Sequence, residues 1–484
     1  MKSTEYSKLV DEFTLKWKSS PSEFQKSIDR FALLGIVVLV VAFVLGILLI
    51  LTLRIWLMIV GCLILYSIVR AIFYRPEKMP GLPVLRKDAP LLFDDVEEIG
   101  RNLGAPGCHG VYVDFSFNAA AIQFHTFGIV GPMRNYVLVG IPLMDALSRE
   151  HVRSTLAHEI GHLMLKHGDR TRKWYAISEM YSAIYENLSG GLAWYLFGPF
   201  TKWYLPRFHA RLQPVSLRSE FEADAKEAEV TSPKTAGEAL CYLAIGAGRT
   251  EDSIQAYCLQ SVSSDVRPID LAKSVHGSLR EWTPEEAEEC LTDALLAVTD
   301  VESTPPALAE RIAALGAEPV CPVPAALSAS EEYFGEKRID IAASVAAEFV
   351  ATSPYYEDLK DRLKHSIEVE GSLEERIVGS SETEDEAVRY VYAKGNLMGR
   401  RAAKDLTQAY VEKYPASAPL QYYYGLSLLS DGDDAGIDAL VRSAQLSGGK
   451  QGSIYDAIYQ YYLSKGEPRK QRSSGDEGMS SATC

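Results

Sequence analysis

Apolar runs divide this chain before any single residue does. From Phe31 to Leu53 there are 23 residues without a charge, rich in Val, Leu and Ile. As a helix, that stretch is long enough to cross about 30 Å of hydrocarbon. A second apolar run goes from Ile55 to Val69 and extends past Arg70 through Ala71, Ile72 and Phe73. The pair predicts a transmembrane helical hairpin over 31–75, with 1–30 as a cytosolic N-terminal segment. A cleaved signal peptide does not fit, because the first run is too long and is followed at once by another. A buried soluble hairpin is the competing reading.

Lys16, Lys18, Lys26 and Arg30 precede the hairpin; Arg70, Arg75, Lys78, Arg86 and Lys87 follow it, and only Arg54 lies in the turn. Basic residues at both outer ends place both ends on the cytoplasmic side. Pro76, Pro80, Pro83 and Pro90 then predict a stiff linker over 76–90. The expected location is a membrane, multi-pass and of the bacterial inner-membrane kind, with the body facing the cytoplasm.

Past the linker the apolar period changes. Leu92, Val96, Ile99 and Leu103 fall on one helical face that closes at Gly104. Val111 to Phe115, Asn118 to Phe124 and Tyr136 to Gly140 read as strands between Gly and Pro breaks. Leu143 to Leu147 is short and helical, and Ser148 is placed to cap the next helix. Beyond Glu220 the pattern is helical nearly to the end. The chain is therefore expected to be mainly α with a small β-sheet.

Composition narrows this picture. With 484 residues, 47% hydrophobic and 23% charged, the chain is globular and holds more than one domain. A formal charge of −15 leaves no basic surplus for phosphates, so no nucleic-acid partner is expected. Seven scattered cysteines without a CxxC pair fit reduced thiols rather than a disulfide framework.

The chemistry-bearing stretch is Leu156-Ala157-His158-Glu159-Ile160-Gly161-His162. On a helix, His158 and His162 project from one face about one turn apart and can share a metal ion. Glu159 is rotated to the side, where its carboxylate can take a proton from the attacking water. Gly161 costs roughly 1 kcal/mol relative to alanine in a helix interior. Close approach by substrate or by a neighbouring helix would account for it. A catalytic zinc needs a third protein ligand. Glu220-Phe221-Glu222-Ala223-Asp224 offers one: Glu220 can reach the metal while Asp224, four residues on, accepts from the outer nitrogen of a ligating histidine. The competing readings are a chance HExxH and an ordinary charged helix face. His167 and His209 are candidates for stabilising an oxyanion, though packing roles suit them better.

Together these stretches resemble the membrane-bound zinc metallopeptidases of the HtpX and CAAX prenyl protease type. Asn118-Ala119 and the segment Pro305 to Gly316 extend the resemblance over roughly 90–320. It implies a gluzincin-like zinc metallopeptidase domain over 91–320. Zinc would be held, one per chain, by His158, His162 and Glu220, with Glu159 as general base and Asp224 behind the ligands. It also implies that the strand at Asn118, Ala119 and Ala120 receives substrate as an added β-strand. The chain departs from the family pattern at Leu217, where an arginine is usual, and at Pro305-Pro306, where His-Pro is usual. It departs again between the motifs, where better-known relatives have further spans. Here Asn187 to Thr201 is uncharged for only 15 residues. That region, 187–205, suits either the membrane interface, with its Trp, Tyr and Phe as anchors, or a buried loop over the site.

The C-terminal part carries no catalytic signature. Ala393-Lys394-Gly395-Asn396, Ser430-Asp431-Gly432-Asp433 and Ser464-Lys465-Gly466-Glu467 recur at 37 and 34 residues, each read as a glycine turn closing a helix. This resembles degenerate tetratricopeptide repeats over 321–468, whose stacked helices would present a groove to a protein partner. A helical bundle without ligand is the alternative. The tail, 469–484, is polar and expected to be disordered. The reading that follows is a membrane-anchored zinc metalloendopeptidase cleaving unfolded or membrane-associated proteins, touching lipid through 31–73 and, on the interface reading, 187–205. Its rival is a non-catalytic membrane scaffold that uses the helical repeats for protein binding.

Overall fold

Proline and glycine set many of the element boundaries. Helices α2, α4, α10 and α11 carry proline in their first turn, where the missing N–H costs nothing, and α4 ends on the left-handed Gly104. The computed structural model describes residues 3–52, 54–72, 79–127, 130–165, 169–188, 194–297, 299, 305–378, 381–447, 454, 457–458, 460–462 and 465. In chain order the first elements are α1 (Ser3–Ser19), α2 (Pro21–Leu51), α3 (Ile55–Ile72), β1 (Leu82–Val84), α4 (Pro90–Leu103), β2 (Gly110–Asp114), β3 (Ala119–Phe127) and β4 (Val130–Gly140). Then come α5 (Ile141–Ala146), α6 (Arg149–Leu165), α7 (Asp169–Leu188), α8 (Trp194–Val230), α9 (Pro233–Ser263), α10 (Pro268–Arg280), α11 (Pro284–Leu296), α12 (Leu308–Leu315) and α13 (Ala329–Phe334). The remainder is α14 (Arg338–Thr352), α15 (Pro354–Val378), α16 (Glu384–Met398), α17 (Lys404–Lys413), α18 (Ala418–Ser430) and α19 (Ala435–Leu446).

The protein is thus mostly helical with one four-stranded sheet of order β1-β2-β4-β3. β2 and β4 run parallel, while β1–β2 and β3–β4 are antiparallel. β3 is an edge strand. The chain forms two compact units: 1–243, 299–320 and 325–337 make the first, and 244–298, 321–324 and 338–484 the second. This division differs from a break near 320. The long helix α9 begins in the first unit and ends in the second, so an apolar helical pattern runs across the boundary unmarked.

α2 is long and apolar enough to cross a membrane, and α3 beside it is a shorter apolar helix. α2 begins ten residues before the uncharged run, because Pro21 to Arg30 form an amphipathic first section whose Phe24 and Ile28 are buried. Two expectations are corrected. Residues 79–90 are not a free linker: Leu82 to Val84 pair with Val113 to Val111, Ala89 is fully buried, and Arg86 binds Asp94 and Glu97. Pro83 is tolerated because β1 is an edge strand. The region 194–205 is not a loop over the site. It is the start of α8, with Phe197 and Tyr204 buried in a cluster shared with Ile28, Ala32, Ile64, Ile68, Trp174 and Tyr181.

In the second unit, Ser430 closes α18 and Gly432 is left-handed, as a glycine turn requires. The turn expected at Gly395 is absent: α16 runs through it to Met398 and Gly399 forms the cap. Gly395 lacks a proline or polar run after it, so nothing forces the helix to stop. The expected turn at Ser464-Lys465-Gly466-Glu467 lies largely outside the described residues, as does the tail 469–484.

Candidate metal centre

Ser148 starts the site. Its carbonyl accepts from Val152 N at 3.0 Å and its hydroxyl from His151 N at 3.4 Å, capping α6. Leu156, Ala157, Ile160 and Leu163 are buried, which fixes α6 and turns His158, Glu159 and His162 toward β3 and α8. Gly161 settles the choice left open by the sequence. A Cβ there would lie 3.3 Å from Lys226 Cβ and 3.7 Å from Ala223 Cα, so the glycine admits the α8 backbone. That approach brings Glu220 to the histidines.

Three donors converge. His158 Nε2 and His162 Nε2 are 3.1 Å apart; Glu220 Oε2 is 3.6 Å from the first and Glu220 Oε1 is 3.4 Å from the second. His158 Nδ1 faces the other way, 2.9 Å from Asp224 Oδ1 and 3.6 Å from Glu227 Oε2. Asp224 is gripped by Arg311 of α12, whose Nε and Nη2 donate at 2.9 and 2.6 Å. Glu227 accepts from Ser154 Oγ at 2.7 Å.

Two groups of acidic and histidine side chains could hold a cation: His158, His162 and Glu220, and His158, Asp224 and Glu227. The guanidinium of Arg311 already supplies the positive charge in the second, leaving the first for a metal. Its donor spacing fits. Bonds of about 2.0–2.1 Å to a tetrahedral zinc place neighbouring donors about 3.3 Å apart.

The field in the pocket favours a cation. Burial works against a charged His158, yet Asp224, Glu220 and Glu227 outweigh it and lift its proton affinity well above that of an ordinary histidine. Burial also raises Glu220, but the two histidines hold its carboxyl far below the usual range. Asp224 is likewise raised by burial and lowered further by Arg311 and His158. Glu227 differs, because burial dominates and pushes it up.

Glu159 stands beside the sheet, its Oε2 accepting from Ala121 N at 3.4 Å. Antiparallel strands alternate the direction of their main-chain groups. Asn118 O accepts from Gly140 N of β4, so the even residues of β3 face β4 and the odd residues face the open edge. The open edge therefore offers Ala119, Ala121 and Gln123. Of the three residues expected to meet substrate, only Ala119 has free main-chain groups there; those of Asn118 and Ala120 belong to β4.

His209 is not at the centre. It lies on α8 eleven residues before Glu220, about 16 Å along the axis, with Nε2 2.9 Å from Ser178 Oγ, and burial lowers its pKa. His167 lies outside the described residues. Arg218 pairs with Glu222 on an exposed part of α8 at 2.6 Å. Two residues escaped the reading by sequence, Glu227 and Arg311. Glu227 had a signal, since Glu220, Asp224 and Glu227 at i, i+4 and i+7 form one acidic stripe. Arg311 had none beyond its place in the closing segment.

Residues 95–318 match the family model of Peptidase family M48. The match contains every residue of this centre, from Ala119 to Arg311, and supports a metallopeptidase function with peptide or protein substrates. No curated protein matches the chain.

Proposed function

We propose that the protein is a membrane-anchored, zinc-dependent endopeptidase of gluzincin type, cleaving extended segments of unfolded or membrane-associated proteins. The observation that carries this is the convergence of His158, His162 and Glu220 within 3.1–3.6 Å of one another, beside the carboxylate of Glu159. When bound, zinc would supply a Lewis acid that lowers the pKa of the attacking water and polarises the scissile carbonyl.

The chain's own residues do the rest. Asp224 faces Nδ1 of His158, which keeps the proton there and leaves Nε2 free as a donor atom. Arg311 fixes Asp224. Glu159 takes a proton from the water on its carboxylate and delivers it to the leaving amine. A substrate strand would add to the open edge of β3 through Ala119, Ala121 and Gln123, which requires an extended, unfolded segment. Its arrival would compete for the Ala121 N–H and release Glu159 to act as a base.

α2 and α3 together would form the anchor, with basic residues at both outer ends holding the centre on the cytoplasmic side of a bacterial-type inner membrane. The helices of 338–465 would serve as a tetratricopeptide-like surface for a protein partner. The test is cleavage of casein by the purified full chain. Glu159→Gln is expected to keep its metal and fold while cleavage disappears; equal cleavage by both proteins would exclude Glu159 as the base.

A further inference from the structure

We infer that Glu227, held in place by Ser154, is a positioning residue for His158 and works beside Asp224. The inference rests on His158, His162 and Glu220 holding a metal ion, as proposed above.

α6 and α8 meet along an antiparallel polar seam. His162 Nε2 faces Glu220 Oε1 at 3.4 Å, His158 Nδ1 faces Asp224 Oδ1 at 2.9 Å, and Ser154 Oγ donates to Glu227 Oε1 at 2.7 Å. Each step of four back along α6 meets a step of three or four forward along α8, so successive rungs lie one turn apart. Ser154, Asp224 and Glu227 are 0%, 1% and 2% exposed, so water does not replace a lost partner there.

Two side chains thus reach the outer nitrogen of His158, each supported from behind. Asp224 is supported by Arg311, whose Nη2 donates to the same Oδ1 that faces Nδ1. Glu227 is supported by hydroxyls. Ser154 has one proton, and giving it to Glu227 leaves Oγ as an acceptor toward Thr231 Oγ1, 3.0 Å away. This arrangement aims the Glu227 carboxyl at His158, with Oε2 3.6 Å from Nδ1. That distance is too long for a hydrogen bond. Glu227 therefore acts by filling the space beside the ring and presenting an oxygen to the Nδ1–H.

Asp224 alone does not fix the ring. Its Oδ1 is close to Nδ1, yet among the described residues Nδ1 has no acceptor in line with it. The χ2 torsion of histidine is broad, so no narrow rotamer well sets the pitch of the imidazole. Neighbours must set it, and Glu227 supplies the second contact. The pitch matters because the His158 and His162 rings stand at 87° with centroids 4.7 Å apart. A tilt of His158 would swing its Nε2 out of line with His162 Nε2 and Glu220. Truncating Glu227 would open the space for that tilt. Glutamine would fill it again, with its amide oxygen toward Nδ1–H and its NH2 donating to Ser154 Oγ.

The test uses the full chain, stripped of metal and reloaded with cobalt(II), whose visible bands report the arrangement of its ligands. Glu227→Ala and Ser154→Ala are expected to shift those bands. Both should also bind cobalt(II) about 10-fold more weakly, read by competition with a chelator. Glu227→Gln is expected to reproduce the wild-type bands and affinity. A role in stability alone would lower the thermal midpoint of Glu227→Ala and leave its bands unchanged, and that result would overturn the inference. A glutamine variant with the bands of the alanine variant would overturn it too. Should Glu227→Ala not fold, Ser154→Ala decides, and unchanged bands there would be the contrary result. A wild type that binds no cobalt(II) would instead overturn the metal centre itself.

Discussion

Acidic residues in the two units are held by different means. On α8, Asp224 is buried, and the paired guanidinium of Arg311 and the imidazole of His158 keep its carboxylate ionised against the loss of water. In the second unit, Asp431 at the end of α18 is partly buried and is lowered by hydrogen bonds from Lys404 and from the exposed Arg401, whose charges still meet solvent. Both are ion pairs, but water decides their weight. Where it is excluded, losing one partner strands the other; where it remains, solvent replaces the partner. The comparison teaches where a single substitution should reach function and where it should pass unnoticed.

The strongest challenge to that contrast is Glu159→Gln. Removing the base should lower peptide cleavage by roughly 10²–10⁴-fold without changing metal content, measured with casein. Stability offers the next. Asp95 accepts from Arg149, Arg153 and the Tyr333 hydroxyl while only 1% exposed. Asp95→Asn should destabilise the first unit by about 3 kcal/mol in urea unfolding. Burial raises the Asp95 pKa, but those three donors outweigh it and lower it. A carboxylate depressed in the folded state stabilises fully above its unfolded value of about 3.9 and loses that contribution as pH falls through the folded value. The wild type should therefore weaken below about pH 4, and Asp95→Asn should lack that component.

Arg311→Ala sharpens the contrast within the centre. It leaves Asp224 without its main partner and should cost about 10–100-fold in metal affinity, read by competition with a chelator. Arg311→Lys should restore only part of this, since an ammonium cannot make the paired contact. The smallest effect belongs to Asp431→Ala, which should leave the thermal midpoint and cleavage unchanged within error. A large effect there would break the comparison.

Much of this arrangement was legible in the chain. Spacing placed His158 and His162 on one face, and Glu220 and Asp224 on another, because i and i+4 always share a face of a helix. The uncharged run from Phe31 marked α2, though not its amphipathic start at Pro21. What could not be read needed distant partners. Arg311 is 87 residues from Asp224, and no local period links them. β1 was hidden because Pro83 and the prolines flanking the strand read as a linker, yet an edge strand tolerates Pro83. Ala121 could not be told from Ala120 as an outward-facing residue until the pairing of Asn118 with Gly140 fixed the alternation. Gly395 misled in the other direction, since a lone glycine does not end a helix that packs well.

The most direct measurement is metal content by mass spectrometry of the full chain purified without chelator, alongside Glu220→Ala. The account predicts one zinc per chain in the wild type and little in the variant. A wild type free of zinc, or a variant that retains it in full, would contradict the centre described here.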